Sequence, residues 1–201
     1  MARPARHDRD RALRAALELF WRDGYSRVSM KELEAALDMR PGSIYAAFGS
    51  KERLFEEALR LYGARALDEL EARLAEAPSP IAGLAAHVRR LGARAEAPAQ
   101  ACFLAKTLLD TPSDDAVLRP AAEGLMREAE AAFAAAFRDA RAHGEIASSA
   151  EPVRLARRLQ AEIVGLRAFA QRTDAAPEAV TQLADDIAQD LERMRRDAAK
   201  C

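Results

Sequence analysis

Between Ser29 and Lys51 the chain gathers a run of hydrogen-bond donors: Ser29, Arg40, Ser43, Tyr45 and Lys51, with Pro41 among them. They form neither a nucleophile with its base nor a metal-ligand set. Hydroxyl, guanidinium and ammonium groups donate to phosphate oxygens and to the edges of bases, so their chemistry is recognition of a polyanion with readable edges. Arg40 carries the planar fork that can bond a guanine edge twice; Pro41 and Ser43 stand beside it, and Tyr45 and Lys51 can reach phosphates. Ser29 opens a helix, where unpaired backbone N–H groups attract anions.

Reactive constellations are missing elsewhere. His7, His87 and His143 lie scattered, and no Gly-rich phosphate loop, Ser/His/Asp or Cys/His arrangement or HExxH motif occurs, so neither enzyme activity, a metal nor a cofactor is expected. Cys102 and Cys201 stand almost a hundred residues apart with no CxxC, which suggests neither a zinc site nor a disulfide framework.

Short helices must carry the donors. In residues 29–48, SMKELEAALDMRPGSIYAAF, Ser29 is an N-cap and Glu32 completes a capping box; Met30, Leu33 and Leu37 form the buried stripe. Asp38 and Met39 make a tight connection, and Pro41 suits the first turn of a third helix ending near Ala47. Ahead of them a helix from about Asp8 to Asp23 repeats Leu13, Leu17 and Phe20, and Gly24 ends it. Two short helices joined by a turn and backed by a longer one make a helix-turn-helix, whose last helix can enter a major groove about 12 Å wide.

Behind this unit the periodicity predicts helices over 51–76, 81–96, 99–110, 115–143, 152–172 and 177–199, with breaks at Pro78, Pro98, Pro112 and Gly144. The chain has 48 alanines, 27 arginines against 4 lysines, and 5% aromatic residues, a composition that favours helix almost everywhere. The expected fold class is therefore all-α, about nine helices: residues 1–50 as a helix-turn-helix DNA-binding domain, the helix 51–76 as connector, and 51–201 as a helical body.

Net charge of −1 does not by itself favour a nucleic-acid partner, but residues 1–31 hold eight basic and four acidic groups. No apolar run is long enough to span a bilayer and the N-terminus has no secretory pattern, so no membrane partner and a cytoplasmic location are expected.

From Leu13 to Leu59 the chain resembles the DNA-binding domain of the TetR family of bacterial regulators. The resemblance is carried by Ala16-Leu17-Glu18-Leu19-Phe20, Gly24-Tyr25, Ser29-Met30, Leu33, Gly42-Ser43-Ile44-Tyr45, Phe48, Ser50-Lys51-Glu52 and Leu54. It implies that residues 51–201 are an effector-binding and dimerisation domain, in a homodimer joined through its last two long helices, which binds double-stranded operator DNA and leaves it when a small-molecule effector occupies the body. Repression is the expected action, since occupancy alone blocks polymerase. Three positions depart from the family pattern: Asp38 stands where Gly is usual in the turn, Glu34 where a small residue is usual, and Arg40 where a hydroxyl commonly caps the recognition helix. Asp tolerates a left-handed backbone better than most residues, so the turn survives, but the third helix loses a side-chain cap.

For the body, Tyr62, Cys102, Phe103, Phe133, Phe137 and Phe169 are the candidates to line an effector cavity, each also explicable as core. The stripes Leu159, Ile163, Leu166 and Val180, Leu183, Ile187, Leu191 are candidates for a two-fold four-helix interface, with intramolecular packing as the alternative. Cys102 could sense electrophiles or oxidants if Arg94 and Lys106 lowered its pKa, although Ala101, Phe103 and Leu104 point to burial. Two other readings stay open: a helical dimerisation or scaffold protein without DNA binding, and a cysteine-based redox-sensing regulator.

Overall fold

The computed structural model describes residues 6–93 and 101–198, with side chains of 8–93 and 101–195. Pro98, Arg94 and Cys201, and the side chains of Arg6 and His7, lie outside the described residues. The described residues form nine helices and no strand: α1 (Arg6–Asp23), α2 (Met30–Leu37), α3 (Pro41–Phe48), α4 (Lys51–Glu76), α5 (Pro80–Ala93), α6 (Phe103–Asp110), α7 (Leu118–Ala142), α8 (Pro152–Phe169) and α9 (Pro177–Ala198). The all-α class expected from composition is the class observed.

Local chemistry sets the boundaries. Gly24, at φ 86°, closes α1 by donating its N–H to the Phe20 carbonyl, a conformation glycine adopts without penalty. The Ser29–Glu32 capping box is present at α2 in both directions. Asp38 takes the left-handed conformation at φ 53°, ψ 46° and closes α2, so the turn survives without glycine. Arg40 precedes α3 with no side-chain cap, and Pro41 stands at its start. The long body helices begin and end within a few residues of the predicted limits; α7 starts only at Leu118, because the Asp115 carboxylate accepts from the N–H groups of Val117 and Leu118 and caps the helix there.

The chain packs as two units, Met1–Ala64 with Phe103–Leu125, and Arg65–Cys102 with Met126–Cys201. Helices α4 and α7 contribute residues to both. In the first unit, Leu17, Phe20, Leu33, Ile44, Leu54, Phe55 and Leu59 are almost fully buried. Phe55 meets Phe20 edge-on at 5.0 Å, Tyr25 at 5.1 Å and Phe103 at 5.3 Å, arrangements aromatic quadrupoles favour.

The second unit buries Leu70, Ile81, Leu84 and Val88 with Phe137, Leu159, Ile163, Leu166, Val180 and Leu191. Helices α5 and α9 run very close: a Cβ on Gly92 would stand 2.3 Å from that of Ala184. Arg89 bridges the same helices, donating to Asp185 at 2.7 Å and Glu192 at 2.6 Å, and these carboxylates hold its guanidinium well above its usual pKa. No helix among the described residues is long and apolar enough to cross a membrane.

Candidate nucleic-acid interface

Helix α3 turns Ile44 and Phe48 inward, at 1% and 3% exposure, and leaves Pro41, Gly42, Ser43, Tyr45 and Ala46 in solvent. Tyr45 is 47% exposed. Two buried side chains four apart anchor one face of an eight-residue helix, so the opposite face protrudes. The exposed Arg40 guanidinium stands at the N-terminal end of that face. Three of the five predicted donors, Arg40, Ser43 and Tyr45, thus belong with their neighbour Pro41 to the start and exposed face of α3, while Ser29 caps α2 and Lys51 opens α4.

Ser29 and Lys51 flank this helix, Ser29 through the capping box expected from the sequence and Lys51 through a ring contact that the sequence did not disclose. The Ser29 hydroxyl donates to a Glu32 carboxylate oxygen at 2.7 Å, the Ser29 N–H donates to the same oxygen at 2.7 Å, and the Glu32 N–H returns to the hydroxyl. The Ser29 N–H, then its hydroxyl, hold the Glu32 carboxyl below its ordinary range. A carboxylate therefore already satisfies part of the α2 start where a phosphate was expected. Lys51, the first residue of α4, is half-buried, with its ammonium 4.4 Å from the centre of the Tyr25 ring. Burial lowers its pKa, and the nearby Glu32 carboxylate pulls the other way.

The basic groups of the N-terminal segment divide by function. Arg9 turns inward, donating to both oxygens of Glu57 and to the Ala47 carbonyl while lying over the Phe48 ring. Arg22 pairs with its neighbour Asp23. Arg11, Arg14, Arg27 and Lys31 are exposed, as is Arg53 on the first turn of α4. Arg53, which the sequence analysis did not single out, stands two residues after Lys51, beside a Ser50 cap that accepts from the Arg53 N–H.

The six effector candidates do not fall in one place. Tyr62 and Phe103 lie buried in the aromatic cluster of the first unit, 5.8 Å apart, beside Trp21. Phe133 and Phe137 lie in the core of the second unit, where Phe169 is only partly buried and has the Arg172 guanidinium over its ring. Cys102 is half-buried and a free thiol. Lys106 donates its ammonium to the carbonyls of Trp21 and Arg22 at 3.0 and 2.9 Å, capping α1, and Arg94 is outside the described residues. The first unit does contain a cavity of about 110 Å³, lined by Tyr25, Phe55, Phe103, Lys106, Asp110 and Asp115 among others; of the six candidates, Phe103 alone is on its wall.

Of the seven interface candidates, Leu159, Ile163, Leu166, Val180 and Leu191 are covered within their own unit. Leu183 is 38% exposed and Ile187 half-buried. Periodicity marks an apolar face, and here most of that face is used by intramolecular packing.

A compact three-helix support, a short helix whose polar edge protrudes, and exposed cations around it define a helix-turn-helix protein. The model of the bacterial regulatory proteins of the tetR family matches residues 12–58. The cysteine mutant of the TetR family transcriptional regulator CifR, solved with 26-base-pair double-strand operator DNA, is 31% identical over 94% of this chain and 98% of its own, with a TM-score of 0.79. A TetR transcriptional regulator from Chloroflexus aurantiacus, at 22% identity and a TM-score of 0.80, covers 91% of this chain and 93% of its own. The HTH-type transcriptional repressor ComR of Escherichia coli (strain K12) is 40% identical over 72 residues, 36% of this chain. That match spans about a third, 34%, of the length of ComR. The chain belongs to the TetR family of bacterial regulatory proteins.

Proposed function

We propose that the chain is a transcriptional repressor that binds a palindromic operator as a homodimer and leaves it when a small apolar or electrophilic effector binds. The outward polar edge of α3, with Ile44 and Phe48 locked beneath it, carries this reading. Residues 1–50 supply the grip, residues 51–201 the effector response and the dimer.

On the duplex, Arg40 reads a base edge with Pro41 and Ser43 beside it, while Tyr45, Lys51 and the start of α2 at Ser29 meet phosphates. Similarity to CifR, a protein solved on operator DNA, supports the assignment. Dimerisation uses the outer faces of α8 and α9, where Leu183 and Val153 are exposed and Ile187 half-buried. Two copies then hold their recognition helices near one DNA turn, about 34–36 Å, apart.

Selection of bound duplexes from a random-sequence pool, followed by fluorescence anisotropy, tests the reading. A palindromic consensus bound with a steep loss of affinity on adding salt is expected. Binding no sequence over any other removes the regulator in favour of a helical scaffold. Arg40→Ala should relax preference at one base position; uniform weakening across all sequences reduces Arg40 to a phosphate contact. For the effector, a thermal-shift screen of apolar and electrophilic small molecules on the dimer is the direct assay, since a ligand of the folded state raises its melting temperature.

A further inference from the structure

Lys51 is the wrong charge for its place. It opens α4, where the helix dipole presents its positive end and disfavours a cation, yet its ammonium is not out in solvent; it lies 4.4 Å from the centre of the Tyr25 ring. A cation within about 6 Å of a ring face is attracted by the ring's quadrupole, more strongly where water is partly excluded. Lys51 is half-buried there.

The ring itself is held on several sides. Tyr25 follows Gly24, whose left-handed backbone at φ 86° sets the direction of the chain after α1. Its ring meets Phe55 edge-on at 5.1 Å and Phe20 at 6.5 Å, and both partners are nearly fully buried. Burial first, then the Glu52 and Asp115 carboxylates, push its phenol pKa above the usual value. The platform is therefore a fixed, uncharged aromatic face attached to the core, and the flexible four-carbon stem of Lys51 is what it orders.

We propose that Tyr25 is a positioning residue for phosphate binding: its ring face holds the Lys51 ammonium at the edge of the recognition helix before DNA arrives. The inference rests on the reading that Lys51 meets a phosphate. A free lysine loses rotamer freedom when it meets its phosphate; one already stacked has lost much of it in the unbound protein. Tyr25 touches no nucleotide in this scheme and acts only through Lys51.

A double-mutant cycle on the full-length protein tests it, with anisotropy on the selected duplex at several salt concentrations. Lys51→Gln should lower the slope of log affinity against log salt by about 0.9, the signature of one lost phosphate contact. Tyr25→Leu should weaken binding about fivefold and should add little in the Lys51→Gln background, whereas Tyr25→Phe, which keeps the ring, should bind as the parent does. Additive losses from the two substitutions, or a loss in Tyr25→Phe equal to that in Tyr25→Leu, would overturn the inference. Because Tyr25→Leu also removes core contacts, a second measurement needs no variant: the ε-methylene protons of Lys51 in the parent protein should resonate upfield of ordinary lysines through the ring current, and an ordinary shift defeats the stack outright. If the parent protein selects no duplex, both the inference and the regulator reading fail; if it selects one and the cycle is additive, only the inference does.

Discussion

Arg9 and Glu57, forty-eight residues apart, form a two-pronged ion pair, one guanidinium nitrogen reaching both carboxylate oxygens at 2.8 and 2.7 Å. The same guanidinium donates to the Ala47 carbonyl and lies 4.6 Å from the Phe48 ring centre. One side chain thus ties α1 to the last turn of α3 and to α4, fixing the support from which the recognition helix projects.

Arg9→Ala should therefore loosen that helix without removing a DNA contact. The pair is about a third exposed on each side, so solvent screening limits its own worth to roughly 0.5–1 kcal/mol, with a cation–π contribution of similar size. Thermal melting should show a loss of about 1–2 kcal/mol. The salt slope of operator binding should stay at the parent value, since Arg9 meets no phosphate; a fall of about one would place it at the DNA instead.

Glu32 sets a pH dependence at the interface. Its carboxyl pKa is depressed in the folded chain, first by the Ser29 N–H and then by the Ser29 hydroxyl. A depressed folded pKa means stabilisation that is complete above the unfolded value, about 4.3, and lost as pH falls through the folded value. Glu32→Gln keeps a capping side chain but should remove this acid-side loss, seen as a flatter melting temperature below about pH 4.3. The same variant removes a negative charge beside Lys51 and should tighten operator binding at neutral pH. Weaker binding would show that the carboxylate orders α2 for the contact rather than repelling phosphate.

How much of this was legible beforehand divides by distance along the chain. The capping box at Ser29, the left-handed Asp38, the uncapped start at Arg40 and the limits of α4 are set by residues within four positions of one another, where side-chain chemistry and backbone geometry determine each other. The protruding edge of α3 was legible for the same reason. Which neighbour covers an apolar stripe is not a local property: Leu159 and Val180 looked available to a partner, yet both lie in their own unit's core. Nor could spacing reveal that Lys106 caps α1 from 84 and 85 residues away, that Arg89 clamps α9, or that Tyr25 lies under Lys51.

Gly92 marks the closest approach of α5 to α9. A Cβ there would come 2.3 Å from the Ala184 Cβ and 3.4 Å from the Val180 carbonyl oxygen, and neither a methyl nor backbone can swing away. Gly92→Ala should destabilise the second unit by about 1–3 kcal/mol through overpacking, despite the better helix propensity of alanine. Gly165 in α8, with open space around its Cβ position, is the matched control: the same substitution there should be neutral or stabilising by up to about 1 kcal/mol in the protomer. If that variant instead dissociates the dimer on sedimentation, the outer face of α8 is where the copies meet.

Gly42 poses the converse problem, a glycine in a helix with no internal reason to be one. Its backbone is ordinary helix, it is exposed on the polar edge of α3, and a Cβ would meet no atom of the chain within 4 Å. Packing thus gives up to about 1 kcal/mol of helix propensity with nothing in return. A surface that docks into a groove supplies the missing reason, because a small residue lets the helix approach closely between Arg40 and Ser43. Gly42→Ala should raise the melting temperature by a few degrees and at the same time weaken binding to the selected duplex. A variant that is both more stable and equally tight would turn the docking edge away from Gly42 and move the base contacts to the Tyr45 side of the helix.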